Sequence, residues 1–114
     1  METFRALVLT EFDVVGFHHY PDAPNKVDFL KHKHRHIFTI KMGYNVKDLD
    51  RELEIFIMQD YVKDYLYETY GSPCLFENMS CEMIAKEILE FSIPDGVKFV
   101  EVLEDGKGGA RVEI

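Results

Sequence analysis

Positive charge is scarce in this sequence: 13 Lys and Arg stand against 21 Asp and Glu, for a formal net charge of -8. A general nucleic-acid binder neutralises phosphates with Lys and Arg, so this balance argues against one. Cysteine is scarcer still, with two residues, Cys74 and Cys81. No signal peptide is legible, so the pair reads as reduced thiols of a cytoplasmic protein, although a bridge between them stays open on sequence alone. Long apolar runs are missing: none approaches the ~18–20 residues needed to span a membrane. Internal repeats and low-complexity tracts are missing too. What is present is a chain of 114 residues with 46% apolar content, enough for a core within one domain over 1–114.

The apolar residues are arranged with clear periods. From Phe4 to Phe17, the positions Phe4, Ala6, Val8, Phe12 and Val14 alternate with Arg5, Leu7, Leu9, Glu11 and Asp13. That is a long strand with one apolar and one mixed face, the mixed face suited to a pocket or a second subunit. Gly16 marks a bulge or a close approach to the backbone, and Pro21 to Asn25 is a loop. His34 to Val46 is a second strand, expected antiparallel to the first. Met58 to Tyr70 has helical spacing and is stopped by Gly71 and Pro73. Ser72 to Asn78 reads as a loop. Ser80 caps a second helix, Cys81 to Phe91, with Ile84, Ala85, Ile88 and Phe91 inward. Val97 to Leu103 is a strand, and Gly106 to Gly109 leads into a last one, Ala110 to Ile114. The expected order is ββααββ: an α+β fold with a four-stranded antiparallel sheet and two helices on one face.

Positive charge and histidine concentrate in one stretch, Lys31-His32-Lys33-His34-Arg35-His36, which runs into the second strand. Side chains at i and i+2 leave the same face of a strand, so His34 and His36 point together. A second cluster, Gly16-Phe17-His18-His19-Tyr20-Pro21, ends the first strand. A His-x-His pair joined by a histidine from a neighbouring strand is a geometric source of zinc ligands, and three protein ligands leave a fourth position open. The alternative is that these are solvated strand histidines beside lysines. Cys81 reads as a small helix residue. Glu101 and Glu104 read as solvated strand charges, unless one of them lies at a pocket floor and accepts two hydrogen bonds from an amidine-like ring edge.

Taken together, these motifs resemble the tunnelling-fold family of 6-pyruvoyl tetrahydropterin synthase and 6-carboxytetrahydropterin synthase. The resemblance implies a metal site, expected to hold Zn2+, made by His18 (with His19 the lesser choice), His34 and His36. It matches Met79-Ser80-Cys81-Glu82-Met83-Ile84-Ala85 to the family's second-helix motif, which brings in Glu82. It makes Glu104 the residue that anchors a pterin ring. It further implies a barrel-like ring of copies, a trimer or hexamer, with pockets between subunits. Lys31, Lys33 and Arg35 then stand ready for the phosphates of a nucleotide-like ligand.

The departures from the family are as specific as the matches. Its catalytic cysteine has no counterpart in Lys26-Val27-Asp28-Phe29-Leu30-Lys31, and Tyr67 to Asn78 holds neither histidine nor aspartate. General acid–base work needs a group that carries the proton at the reacting atom. The expectation is therefore a protein that binds a pterin- or guanine/purine-nucleotide-like molecule without the usual lyase chemistry, in the manner of a ligand-sequestering protein. The competing expectation is an active zinc-dependent synthase of deazaguanine or pterin biosynthesis, with Glu82, Asp28 or His32 as replacement acid or base.

Overall fold

The computed structural model describes residues 3–114. Two long antiparallel strands form its axis: β1 (Ala6–His18) and β2 (His34–Val46), paired without interruption from Ala6↔Val46 to His18↔His34. Their even-numbered residues face one side, where Phe12, Val14, Phe38, Ile40, Met42 and Tyr44 are buried, and their odd-numbered residues form the other face. The period of two thus sends the apolar set to one side.

Helix α1 (Ile55–Tyr70) and helix α2 (Cys81–Ser92) cover that side. The first buries Met58, Val62 and Leu66 at four-residue spacing and packs along β1. It begins three residues earlier than its apolar period suggests, because the Glu54 side chain accepts from the Phe56 and Ile57 amides and caps the helix. In α2, Ser80 accepts from the Met83 amide, and Ile84, Ala85, Ile88 and Leu89 are buried. Tyr65 of α1 stacks on Phe91 of α2 with ring centroids 3.8 Å apart, which ties the helices together.

The expected four-stranded antiparallel sheet does not hold. The sheet has five strands in the order β3-β1-β2-β4-β5 and is mixed. The additional strand is β3 (Cys74–Glu77), which runs parallel to β1 beside Gly16, Phe17 and His18. It lies inside the segment that reads as a loop, because four residues are too few to establish a period and their pairing is fixed only by α1 delivering them to the end of β1. Two 3-10 helices, Asn25–Lys31 and Ile93–Asp95, add to the two α-helices. Strands β4 (Val97–Glu104) and β5 (Gly108–Glu113) complete the far edge as an antiparallel hairpin.

Two glycines are set by close approach. A Cβ on Gly16 would stand 2.8 Å from the Phe76 ring and 3.0 Å from that of Phe38, so the residue two before His18 must be small. At Gly109 a Cβ would fall 1.8 Å from the Val102 carbonyl oxygen. Among the described residues, no helix is long and apolar enough to cross a membrane.

Candidate metal centre

The β1–β2 register creates the site. His18 stands directly across from His34, and Gly16 across from His36, so three imidazoles converge on the buried side of the strand ends. Their ring centroids lie 4.7, 5.2 and 4.9 Å apart, all edge-to-face. Phe38, fully buried, forms the floor beneath His18 and His36. One potential ligand atom from each of the three histidines lies within 4.8 Å of the other two.

Each imidazole is held from behind. His18 Nδ1–H donates to the Met79 carbonyl at 2.9 Å, and His34 Nδ1–H to the His32 carbonyl at 2.8 Å. His36 Nδ1–H donates to Asp105 Oδ2 at 2.6 Å. Asp105 is itself fixed, since its Oδ1 accepts from the Ile37 amide and its own amide donates to the Ile37 carbonyl. Two carbonyls and a carboxylate can only accept, so each Nδ1 carries a proton and each Nε2 is the nitrogen left to meet a cation, or, in metal-free His18, a second proton shared with Glu104. Such outward bonds set the tautomer and orientation of metal-binding histidines. His36 Nε2 is buried with no hydrogen-bond partner among the described residues, an arrangement that a bound cation would satisfy. The residues therefore fit a zinc-class ion: three neutral imidazoles from two strands, oriented and converging.

Glu104 closes the cluster from β4. Its Oε1 lies 3.1 Å from His18 Nε2 and its Oε2 lies 3.4 Å from His36 Nε2. Cys81, the first residue of α2, donates its thiol proton to Glu104 Oε1 at 3.3 Å. The hydrogen bond from His18 holds the Glu104 carboxyl below the usual carboxylate range, with Cys81 and the charge of His36 adding to it. Burial by itself would lower the His18 pKa; the bonds to Glu104 and Met79 outweigh it and leave the pKa raised. The Cys81 thiol is pushed up to about 12 by burial and then by Glu104, and Cys74 to about 11 by burial. Both cysteines are free thiols, protonated at neutral pH, so neither is an activated nucleophile.

The other residues singled out from sequence lie elsewhere. His19 is outside the cluster and gives its backbone amide to the Glu77 carbonyl. Arg35 sits between the two histidines of β2 and so leaves the opposite face, where it lines an open groove with Val15, Phe17 and Tyr67. The Lys33 ammonium stands 5.1 Å from the centre of the Phe17 ring. Glu82 is exposed in the first turn of α2, Asp28 is exposed in the 3-10 helix, and Lys31 ends that helix. His32 enters through its carbonyl oxygen alone.

Sequence reasoning missed two partners. Asp105 has a positive φ of 52° and reads as a turn residue, yet it holds His36. Its one legible signal is an acidic residue next to Glu104 at a strand end. Cys81 reads as a small helix residue; its thiol reaches Glu104 because α2 packs on β4.

No protein-family model matches the chain, and no curated protein matches it. Its fold is similar to the crystal structure of an uncharacterized protein from Wolinella succinogenes, with a TM-score of 0.71 and 17% identity over 97% of this chain and 99% of that one. At that identity the likeness speaks for the fold alone.

Proposed function

We propose that this chain is a metal-dependent small-molecule binding protein, in which His18, His34 and His36 hold a zinc-class ion through Nε2. The observation that carries the reading is the arrangement of the three imidazoles: every Nδ1 is committed to an acceptor behind it, and one ring nitrogen of each lies within 4.8 Å of the other two. A bound ion supplies a Lewis acid that polarises a ligand oxygen. The chain's own residues orient the imidazoles, exclude water with Phe38 and place an anionic carboxylate, Glu104, at the same centre.

The ligand class follows from the resemblance to the pterin synthases: a pterin- or guanine-type ring whose N–H edge Glu104 accepts. Binding without lyase chemistry is favoured by the two thiols, whose raised pKa keeps them protonated. Unbridged, buried thiols also suit a reducing compartment such as the cytoplasm.

Self-association belongs to the same reading. From Ala6 to Val15 the outer edge of β1 is unpaired among the described residues, as is that of β5. The sheet face away from the helices carries a cross-strand row, Glu11, Lys41, Glu101, Arg111, of alternating charge. Setting β5 of one copy against β1 of the next continues that alternation, and pairing protects both edges. The radius of gyration, 15.6 Å, exceeds the roughly 13 Å of a compact chain of this length, as suits a subunit that is completed by neighbours.

The test is calorimetric titration of the metal-free protein with Zn2+, followed by incubation of the zinc form with pterins and guanine nucleotides and heat release of what is bound. One ion per chain and intact ligand support the proposal; no stoichiometric zinc, or recovery of a converted product, counts against it. Solution mass under the same conditions tests the ring.

A further inference from the structure

We propose that Glu104 is the fourth ligand of the resting metal centre, held for that purpose by the Cys81 thiol. This rests on the three-histidine reading above and goes beyond it, because it turns an open site into one closed by the chain itself.

The argument begins with spacing. A tetrahedral zinc ion with bonds of about 2.0–2.2 Å to nitrogen and oxygen separates two of its ligand atoms by roughly 3.3–3.4 Å. Glu104 already stands close to that span from two of the three histidines, with Oε1 3.1 Å from His18 Nε2 and Oε2 3.4 Å from His36 Nε2. Those nitrogens are the ones left free for a metal. When the ion displaces the proton that His18 Nε2 shares with Glu104, the carboxylate loses its imidazole partner on the same side as the cation, and the cation takes that partner's place.

Charge and supply point the same way. Three neutral imidazoles leave the full charge of a divalent ion in a half-buried site, and one carboxylate offsets half of it. Among the described residues no other carboxylate fills this place: Asp105 is engaged behind His36, with one oxygen on the imidazole and the other on the Ile37 amide. Cys81 gives the carboxylate its orientation. The thiol donates to Oε1 from the buried first residue of α2, and leaves Oε2 on the side of His36. A small molecule that uses the Glu104 carboxylate must then take it from the metal, so ligand binding and opening of the fourth position become one event.

Cobalt(II) substitution with azide titration separates the outcomes. The wild-type cobalt form should need about tenfold or more azide than Glu104→Gln to change its visible spectrum, because the variant holds an exchangeable water where the carboxylate was. Equal azide response in the two proteins overturns the fourth-ligand assignment and leaves the three histidines standing. No cobalt uptake by the wild type overturns both. Should the variant not fold, a zinc-loaded crystal structure of the wild type decides: a Glu104 oxygen at about 2.0–2.2 Å from the ion supports the assignment, and a water there contradicts it.

Discussion

His36 and Arg35 are adjacent on one strand, and their surroundings differ as much as any two in the molecule. On the helix-covered face, His36 is half-buried on Phe38, clamped by Asp105 and faced by Glu104. On the open face, Arg35 is exposed, and the row below it pairs Lys41 with Glu11 at 3.7 Å and Arg111 with Glu101 at 2.7 Å. Both faces bring opposite charges together. On the covered face the bonds to Glu104 and Met79 outweigh burial and raise the His18 pKa, and the bond from His18 lowers that of Glu104. Exposed pairs of the other kind are worth about 0–1 kcal/mol. Convergence of hydrogen-bonded groups on partly buried side chains, more than charge count, therefore divides a site from a surface on this sheet.

The largest effect expected is on the covered face. His34→Ala or His36→Ala should weaken zinc binding by more than about 100-fold, beyond what loss of an outer partner costs, as read by chelator competition. Phe38→Ala, which removes the fully buried floor, should destabilise the metal-free fold by about 3–5 kcal/mol in urea unfolding. Asp105→Asn should come next, with zinc affinity falling about 10- to 100-fold through loss of the carboxylate on His36 and little change in fold stability.

A pH series sharpens the contrast without a mutation. The His18 pKa is raised in the fold, so its contribution is complete below its ordinary value of 6.5 and is lost as pH rises through the raised value. The Glu104 pKa is lowered, so its contribution is complete above 4.5 and is lost as pH falls through the lowered value. Metal-free stability should therefore crest between about 4.5 and 6.5 as far as this pair decides it, and decline as pH rises through the raised His18 value. With saturating zinc the decline should vanish, because the ion replaces the proton on Nε2. Thermal melts with and without chelator read both curves. The smallest effect is on the open face: Arg111→Ala should cost the isolated chain no more than about 1 kcal/mol. Should it split an assembled ring instead, the row matters between copies more than within one.

Much of this contrast is legible in the residues. The alternation in β1 and β2 names both faces, and the His-x-His spacing places His34 and His36 together. What stays hidden is whatever depends on pairing at a distance. Cys74 to Glu77 is a strand only because it lies parallel beside Gly16, Phe17 and His18, so the sheet gains a fifth strand and a parallel pair. Glu104 reads as a solvated charge or a ring anchor; the register Phe38↔Glu104 is what brings it to the histidines. Asp105 is invisible for the same reason, since its partners are 68 and 69 residues away. Arg35 and Lys33 fall in the basic cluster by sequence, yet alternation sends Arg35 to the far side of the sheet from the imidazoles.

The most direct test is nitrogen-15 NMR of the histidine rings as zinc is added to the metal-free protein. The account predicts that one equivalent moves the Nε2 resonances of His18, His34 and His36, with their Nδ1 atoms still protonated and His19 and His32 unchanged. Zinc that leaves those three rings untouched, or that binds through Nδ1, would contradict it.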